Sequence, residues 1–371
     1  MNGRPVGPLC CGRCAGAGVA ARAARRQRLR AAVFAGPGGG LSGAAAGRAS
    51  GATAARRAAD LNGAAGSAPT TTARDEGPHT GTAHGGPYRT VIGTLLDISP
   101  HVLVVARATG EQRLALTPSA AIWRGGTAGP TELRPGERVV ARLVPGRKDA
   151  ADKVWAGIGR VAGTISAADN DRILVNEGTA RRRQAVIISP AAANRIRVRF
   201  PQLEPGNLID VIGLRRGAVL EALIPATSQP AYLASKVTRR STVAKTAAGP
   251  LSGSATWHEP AEPDEEPRGV AYPAIDPAAG CAEAALAAPG PAELPYLSVG
   301  SLLSVRNDCT GSAQVLTVTS CGATARLFHD RCLTCGTSPR GRVADLTLAS
   351  FVELGGDLER GCFNATIAVR P

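Results

Sequence analysis

Gly93-Thr94-Leu95 recurs as Gly163-Thr164-Ile165, and Leu133-Arg134-Pro135-Gly136 recurs as Leu203-Glu204-Pro205-Gly206, in both cases 70 residues further along the chain. Two matches at one spacing indicate a duplicated structural unit. Short apolar or alternating runs and Pro-Gly turns follow these anchors, and helical periodicity is absent. The repeat therefore predicts two small antiparallel β-barrels, similar to OB-folds, because closing each sheet removes its exposed edges. The strands are expected at His101–Ala106, Arg113–Leu116 and Glu137–Val144, and again at Arg172–Asn176, Ala185–Ser189 and Asn207–Leu214.

The rest of the chain divides by composition. Its 371 residues leave room for two or three domains. An all-β protein is expected, because the C-terminal part also alternates between apolar and polar residues. The predicted segments are a disordered leader at 1–85, repeats at 88–160 and 161–236, a Pro-, Ser- and acid-rich linker at 237–268, and a β-domain at 269–371. Trp257-His258 stands alone in the predicted linker and receives no role.

The leader carries a candidate export signal. Arg25-Arg26, Leu29, a weakly apolar Ala/Gly stretch and Ala52-Thr53-Ala54 together resemble a twin-arginine signal. Arg28 departs from it, because such signals usually have a large apolar residue there. The alternative is a disordered basic tail. We expect a secreted or cell-wall protein, and no membrane span, because no run reaches the roughly 18 apolar residues that one needs.

Cysteine usage supports export independently. Six of the nine cysteines lie in the C-terminal domain: Cys281, Cys309, Cys321, Cys332, Cys335 and Cys362. An even number in a small domain predicts disulfides formed in an oxidising compartment, with the pairing left open. The rival interpretation is a zinc site at Cys332-x-x-Cys335, but a second ligand pair at short spacing is missing. We expect neither a metal nor a cofactor.

The net charge of +14 resides in the leader and the repeats. Arg195, Arg197 and Arg199 alternate, so a strand would carry all three guanidiniums on one face. Such a face could bind an anionic wall polymer through bidentate contacts, and a merely solvated face is the alternative. Nucleic acid is not an expected partner, because aromatic residues for base stacking make up only 3% of the chain.

The C-terminal domain has its own motifs. Leu297-Ser298-Val299-Gly300, Asp330-Arg331-Cys332-x-x-Cys335 and the stretch from Gly341 to Gly355 follow in this order. They resemble motifs of the double-psi β-barrel domains found in rare lipoprotein A, barwins and expansins, although Leu333 replaces a usual Pro. The resemblance covers about residues 269–371. It implies a closed six-stranded barrel that acts at the cell wall.

The resemblance also implies candidate site residues. Asp345 matches the position at which enzymes of this superfamily hold their general acid. Asp276, in the motif Tyr272-x-x-x-Asp276, is the candidate second carboxylate that a hydrolase needs. A lytic transglycosylase could use one acid, because the hydroxyl of the substrate itself attacks. Tyr272, Asp330 and Arg331 are candidate binding residues. For Asp330 we favour the alternative interpretation, a structural role.

These observations favour an exported protein that binds peptidoglycan or another cell-wall glycan. They leave open whether it is an enzyme with lytic transglycosylase-like or glycoside-hydrolase-like activity. One alternative is a secreted inhibitor or interaction module, which a convex barrel surface without a groove would favour. Another is an anionic-polymer-binding protein acting through the repeats, which a continuous Arg face would favour.

Overall fold

The computed structural model describes residues 88–178, 183–226, 233–236, 249–260, 267–275, 294–322, 324–329, 331–339 and 341–370. Within these ranges the chain forms 17 strands and two short α-helices, and the strands build three successive barrels. The predicted leader and its export signal lie outside the described residues. The expected all-β class is confirmed.

The first barrel is a five-stranded ring with one extra short strand. Its order is β2-β1-β5-β6-β3, closed by antiparallel pairing of β2 with β3, and β3 pairs in parallel with β6. The strands are β1 (Arg89–Ser99), β2 (Val102–Arg107), β3 (Gly110–Trp123), β4 (Thr127–Ala128), β5 (Arg138–Leu143) and β6 (Ala150–Ala156). Aliphatic side chains such as Leu95, Leu103 and Leu114 fill the interior.

The second barrel repeats this topology, so the tandem duplication is confirmed. Its closed order is β8-β7-β10-β11-β9, with the third and fifth strands again parallel. This is the strand arrangement of an OB-like barrel. Its elements are β7 (Ile158–Asp169), β8 (Arg172–Asn176), β9 (Gln184–Ile188), α1 (Pro190–Arg197), β10 (Leu208–Arg216) and β11 (Val219–Pro225).

The recurring anchors have a steric cause. A Cβ on Gly93 would lie 2.1 Å from the Ala106 carbonyl oxygen, and one on Gly163 would lie 2.2 Å from that of Asn176. Only glycine permits such a close strand approach. The second anchor ends in Gly136 and in Gly206, whose φ angles of 90° and 91° also favour glycine.

One predicted strand is wrong. The segment containing Arg195, Arg197 and Arg199 is the end of helix α1 and the turn after it. Pro190 suits the first helical turn, and Ile196 and Phe200 are buried four residues apart, which is a helical spacing. The three arginines are exposed, but a helical path turns Arg197 away from the other two. They do not share one strand face.

The third barrel has six strands in the closed order β12-β16-β13-β15-β14-β17, and it is mixed. β12 pairs in parallel with β16, and β13 with β15. Trp257, Tyr272, Phe351 and Phe363 lie in its core. Its elements are β12 (Leu251–His258), β13 (Val270–Tyr272), β14 (Leu302–Asn307), β15 (Ala313–Cys321), β16 (Arg342–Thr347), α2 (Leu348–Glu353) and β17 (Cys362–Val369).

β12 lies inside the predicted linker at 237–268 and corrects that prediction for residues 251–258. This strand pairs with β16 on one side and β17 on the other, so it is integral to the barrel. Its small residues fit a crowded position: a Cβ on Gly253 would lie 2.5 Å from the Val343 side chain, and Ser254 and Thr256 are fully buried. The small residues of this strand, which resembled linker composition, therefore reflect tight packing.

Two disulfides link the loop between Arg331 and Pro339 to the β14–β15 turn and to the start of β17. Cys309 bonds to Cys335 and Cys332 to Cys362, with Cα–Cα distances of 5.4 and 5.9 Å. Cys321 is disulfide-bonded as well, and Cys281 lies outside the described residues. Because Cys332 and Cys335 bond to different partners, the alternative zinc interpretation is wrong.

The three barrels share one apolar cluster. It joins Trp155 of the first barrel and Ile212 of the second to Phe351 of the third. Polar contacts surround it, with Lys153 of the first barrel bonded to Asp357 and Glu359 of the third. The barrels therefore form a continuous packed body. No helix among the described residues is long and apolar enough to cross a membrane.

Candidate functional site

Asp345 lies at the centre of a small polar cluster on the third barrel. It is on β16 directly opposite Thr256 of β12, and paired residues of neighbouring strands point to the same side. The Thr256 hydroxyl donates to Asp345 Oδ1 at 2.8 Å. His258, two residues further along β12, lies on the same face and brings its Nδ1 to 3.3 Å from Asp345 Oδ2.

This cluster opens into a cleft between the second and third barrels. The cleft is shallow, and its interior volume is only about 40 Å³. The third barrel contributes Asp345, His258 and Arg342, and the second contributes Arg160, Ala162 and Glu177. The side chain of Asp345 is 19% exposed and that of His258 only 9%, so the carboxylate can reach a ligand while the imidazole is largely covered.

A buried ion triad forms the floor between the barrels. Asp210 of β10 accepts two hydrogen bonds from the Arg160 guanidinium, at 2.8 and 2.6 Å, and one from Arg342. Burial alone would raise the pKa of Asp210, but the two guanidiniums outweigh it and lower this pKa. Arg160 also donates to the carbonyl oxygens of Trp257 and Gly361. The triad therefore attaches the second barrel to the strands that hold the cleft.

The triad is supported by two aromatic contacts. The Arg342 guanidinium carbon lies 3.7 Å from the centre of the Phe328 ring, and that of Arg160 lies 5.8 Å from the Trp257 ring. Stacking on a ring is favourable for a guanidinium that has lost its water. These contacts fix both arginines at the base of the cleft.

The other sequence-predicted site residues are elsewhere. Tyr272 is fully buried, its hydroxyl donates to the Pro295 carbonyl oxygen at 3.0 Å, and burial raises its pKa. Arg331 lies on an exposed loop. Asp276 and Asp330 lie outside the described residues, so the second predicted carboxylate is not tested.

Sequence reasoning missed several residues of the cleft, among them Arg160, Glu177 and His258, and it missed Thr256, which bonds to Asp345. Thr256 and His258 had a local signal, because Ser254, Thr256 and His258 alternate within the predicted linker. Arg160 and Glu177 had none, because their role arises only when the second barrel packs on the third.

No protein-family model matches this chain, and no curated protein matches its sequence. The fold and cleft define a three-barrel, all-β protein with a disulfide-linked C-terminal barrel. The disulfides indicate an oxidising, extracellular environment.

Proposed function

We propose that this chain is an exported cell-wall protein that binds peptidoglycan or a related glycan in the cleft beside Asp345. The observation that carries the proposal is the partly exposed Asp345 carboxylate, which accepts a hydrogen bond from Thr256 and lies beside His258 in a cleft. A fixed carboxylate can accept hydrogen bonds from sugar hydroxyls, and hydrogen bonds to a charged group are stronger than neutral ones.

The sequence resemblance and the topology support the same proposal. A six-stranded closed barrel with two parallel strand pairs, β12–β16 and β13–β15, suits a double-psi barrel. Asp345 stands at the position that the resembling enzymes use for their general acid. The disulfides suit a protein exported by the twin-arginine-like leader.

A second candidate function is lytic transglycosylase-like cleavage at the same cleft. Asp345 would donate a proton to the glycosidic oxygen as the C–O bond breaks, and a hydroxyl of the substrate would attack the anomeric carbon. Asp345, which the first transfer leaves as a carboxylate, would then accept the proton from that hydroxyl and return to its acid form. The observation that favours this candidate is Asp345, which is bonded to Thr256 and partly exposed at the mouth of the cleft.

The two other interpretations have less support. A secreted inhibitor would suit a convex surface, whereas Asp345 faces a concave cleft. Binding of an anionic polymer was expected if Arg195, Arg197 and Arg199 shared one face of a strand. These residues follow a helical path instead, so this support is absent.

The experiment uses the full chain, because the three barrels share one core. The purified protein is incubated with purified peptidoglycan, and retained protein and released muropeptides are measured in parallel. We expect retention above that of an albumin control. Retention at the albumin level would overturn the proposal, and release of muropeptides would establish cleavage in addition to binding.

A further inference from the structure

The cleft is not a property of the third barrel alone. Glu177, directly after β8 in the second barrel, lines the same cleft as Asp345. Its Oε1 accepts a hydrogen bond from the Ala162 backbone N–H at 3.2 Å, and its carbonyl oxygen accepts one from the Thr324 hydroxyl of the third barrel. Glu177 is thus held where the two barrels meet.

We propose that the second barrel is part of the glycan site, with Glu177 as a second ligand-binding carboxylate. This inference rests on the proposed function and adds a residue to it that the resemblance does not supply. A ligand in the cleft would contact Asp345 and His258 on one side and Glu177 and Ala162 on the other. The second repeat then serves as one wall of the site.

The formal charges around the cleft indicate the ligand class. The guanidiniums of Arg160 and Arg342 are both bonded to the buried Asp210, which offsets part of their charge. Glu177 and Asp345 place two carboxylates along the described lining of the cleft. Carboxylates accept hydrogen bonds from hydroxyl groups, so this lining favours a hydroxyl-rich sugar as the ligand.

The experiment measures binding of an N-acetylglucosamine tetrasaccharide to the full chain by titration calorimetry. Glu177→Gln keeps the oxygen that accepts from Ala162 but removes the charge, so we expect affinity to fall about tenfold or more, as for loss of a charged hydrogen bond. Glu204→Gln, on an exposed turn of the same barrel, is the matched control and should bind like the wild type. Melting temperatures verify that the variants are folded.

A second variant tests the wall without changing Glu177. Ala162→Leu adds bulk to the cleft from the second barrel, and we expect it to weaken tetrasaccharide binding as well. Wild-type affinity in Glu177→Gln or in Ala162→Leu, together with lost binding in Asp345→Asn, would overturn this inference and leave the proposed function standing. Absence of tetrasaccharide and peptidoglycan binding by the wild type would overturn both.

Discussion

At the scale of single residues, a substitution of Asp345 tests whether its carboxylate binds a ligand or serves only the structure. Asp345→Asn keeps the shape and still accepts from the Thr256 hydroxyl, but it can neither carry the charge nor donate a proton as an acid. We therefore expect retention on peptidoglycan to fall severalfold, and any cleavage to fall by orders of magnitude. The melting temperature should change little.

Asp171→Asn is the matched control for this change, because Asp171 is exposed on the β7–β8 turn. It should leave retention, cleavage and melting temperature as in the wild type. A purely structural Asp345 would give the reverse result: a lower melting temperature with unchanged retention per folded molecule.

At the scale of elements, helix α1 offers a direct test of the corrected local structure. Ile196 is fully buried and Val198 is 76% exposed, although a strand would point both side chains to one face. We expect Ile196→Ala to lower the free energy of unfolding by about 2–4 kcal/mol, as for a large-to-small core change. Val198→Ala should leave it nearly unchanged. Equal losses measured by urea denaturation for the two variants would contradict the helix.

The disulfides permit a second test at this scale. Peptide mapping of the unreduced, exported protein should recover Cys309 linked to Cys335 and Cys332 linked to Cys362, with no free thiol in residues 269–371. Each bridge closes a loop of 26 or 30 residues, so reducing one should cost about 2–4 kcal/mol of stability. Thiols that react with Ellman's reagent in the native protein, or stoichiometric zinc, would contradict these bridges.

The elements also explain how far the sequence could predict this structure. The repeat anchors predicted two barrels because Gly93 and Gly163 permit the same close approach of neighbouring strands in each copy. Helix α1 was mistaken for a strand because the Arg-Ile-Arg-Val-Arg alternation outweighed Pro190 and the alanines after it. β12 was missed because its stability comes from strands more than 80 residues away, which leave no local hydrophobic pattern.

The candidate site follows the same logic. A linear motif identified Asp345 as a candidate site residue. Its neighbours Thr256 and His258 belong to β12, whose composition predicted a linker instead of a strand. Glu177 and Arg160 enter the cleft only through packing between barrels. This packing brings together residues that are far apart in the sequence, so no local pattern predicts it.

At the scale of the whole molecule, the triad of Arg160, Asp210 and Arg342 joins the second barrel to the third. Asp210→Asn would leave two buried guanidiniums without their counter-charge. Removing one partner of a buried ion pair costs about 3–5 kcal/mol, so we expect a loss of this size in urea denaturation. Asp149→Asn breaks the exposed pair with Arg147 and should not move the denaturation midpoint measurably.

The same triad makes stability depend on pH in a defined direction. The pKa of Asp210 is lower in the folded protein than in the unfolded chain, so the unfolded state binds the proton more readily. Its stabilisation is therefore complete above the ordinary Asp range, near pH 4, and is lost as the pH falls through the lower folded value. Denaturation midpoints of the wild type and Asp210→Asn, measured from pH 7 downward, should converge below about pH 4. A constant difference between the two midpoints down to the lowest accessible pH would show that Asp210 does not stabilise the barrel junction through its charge.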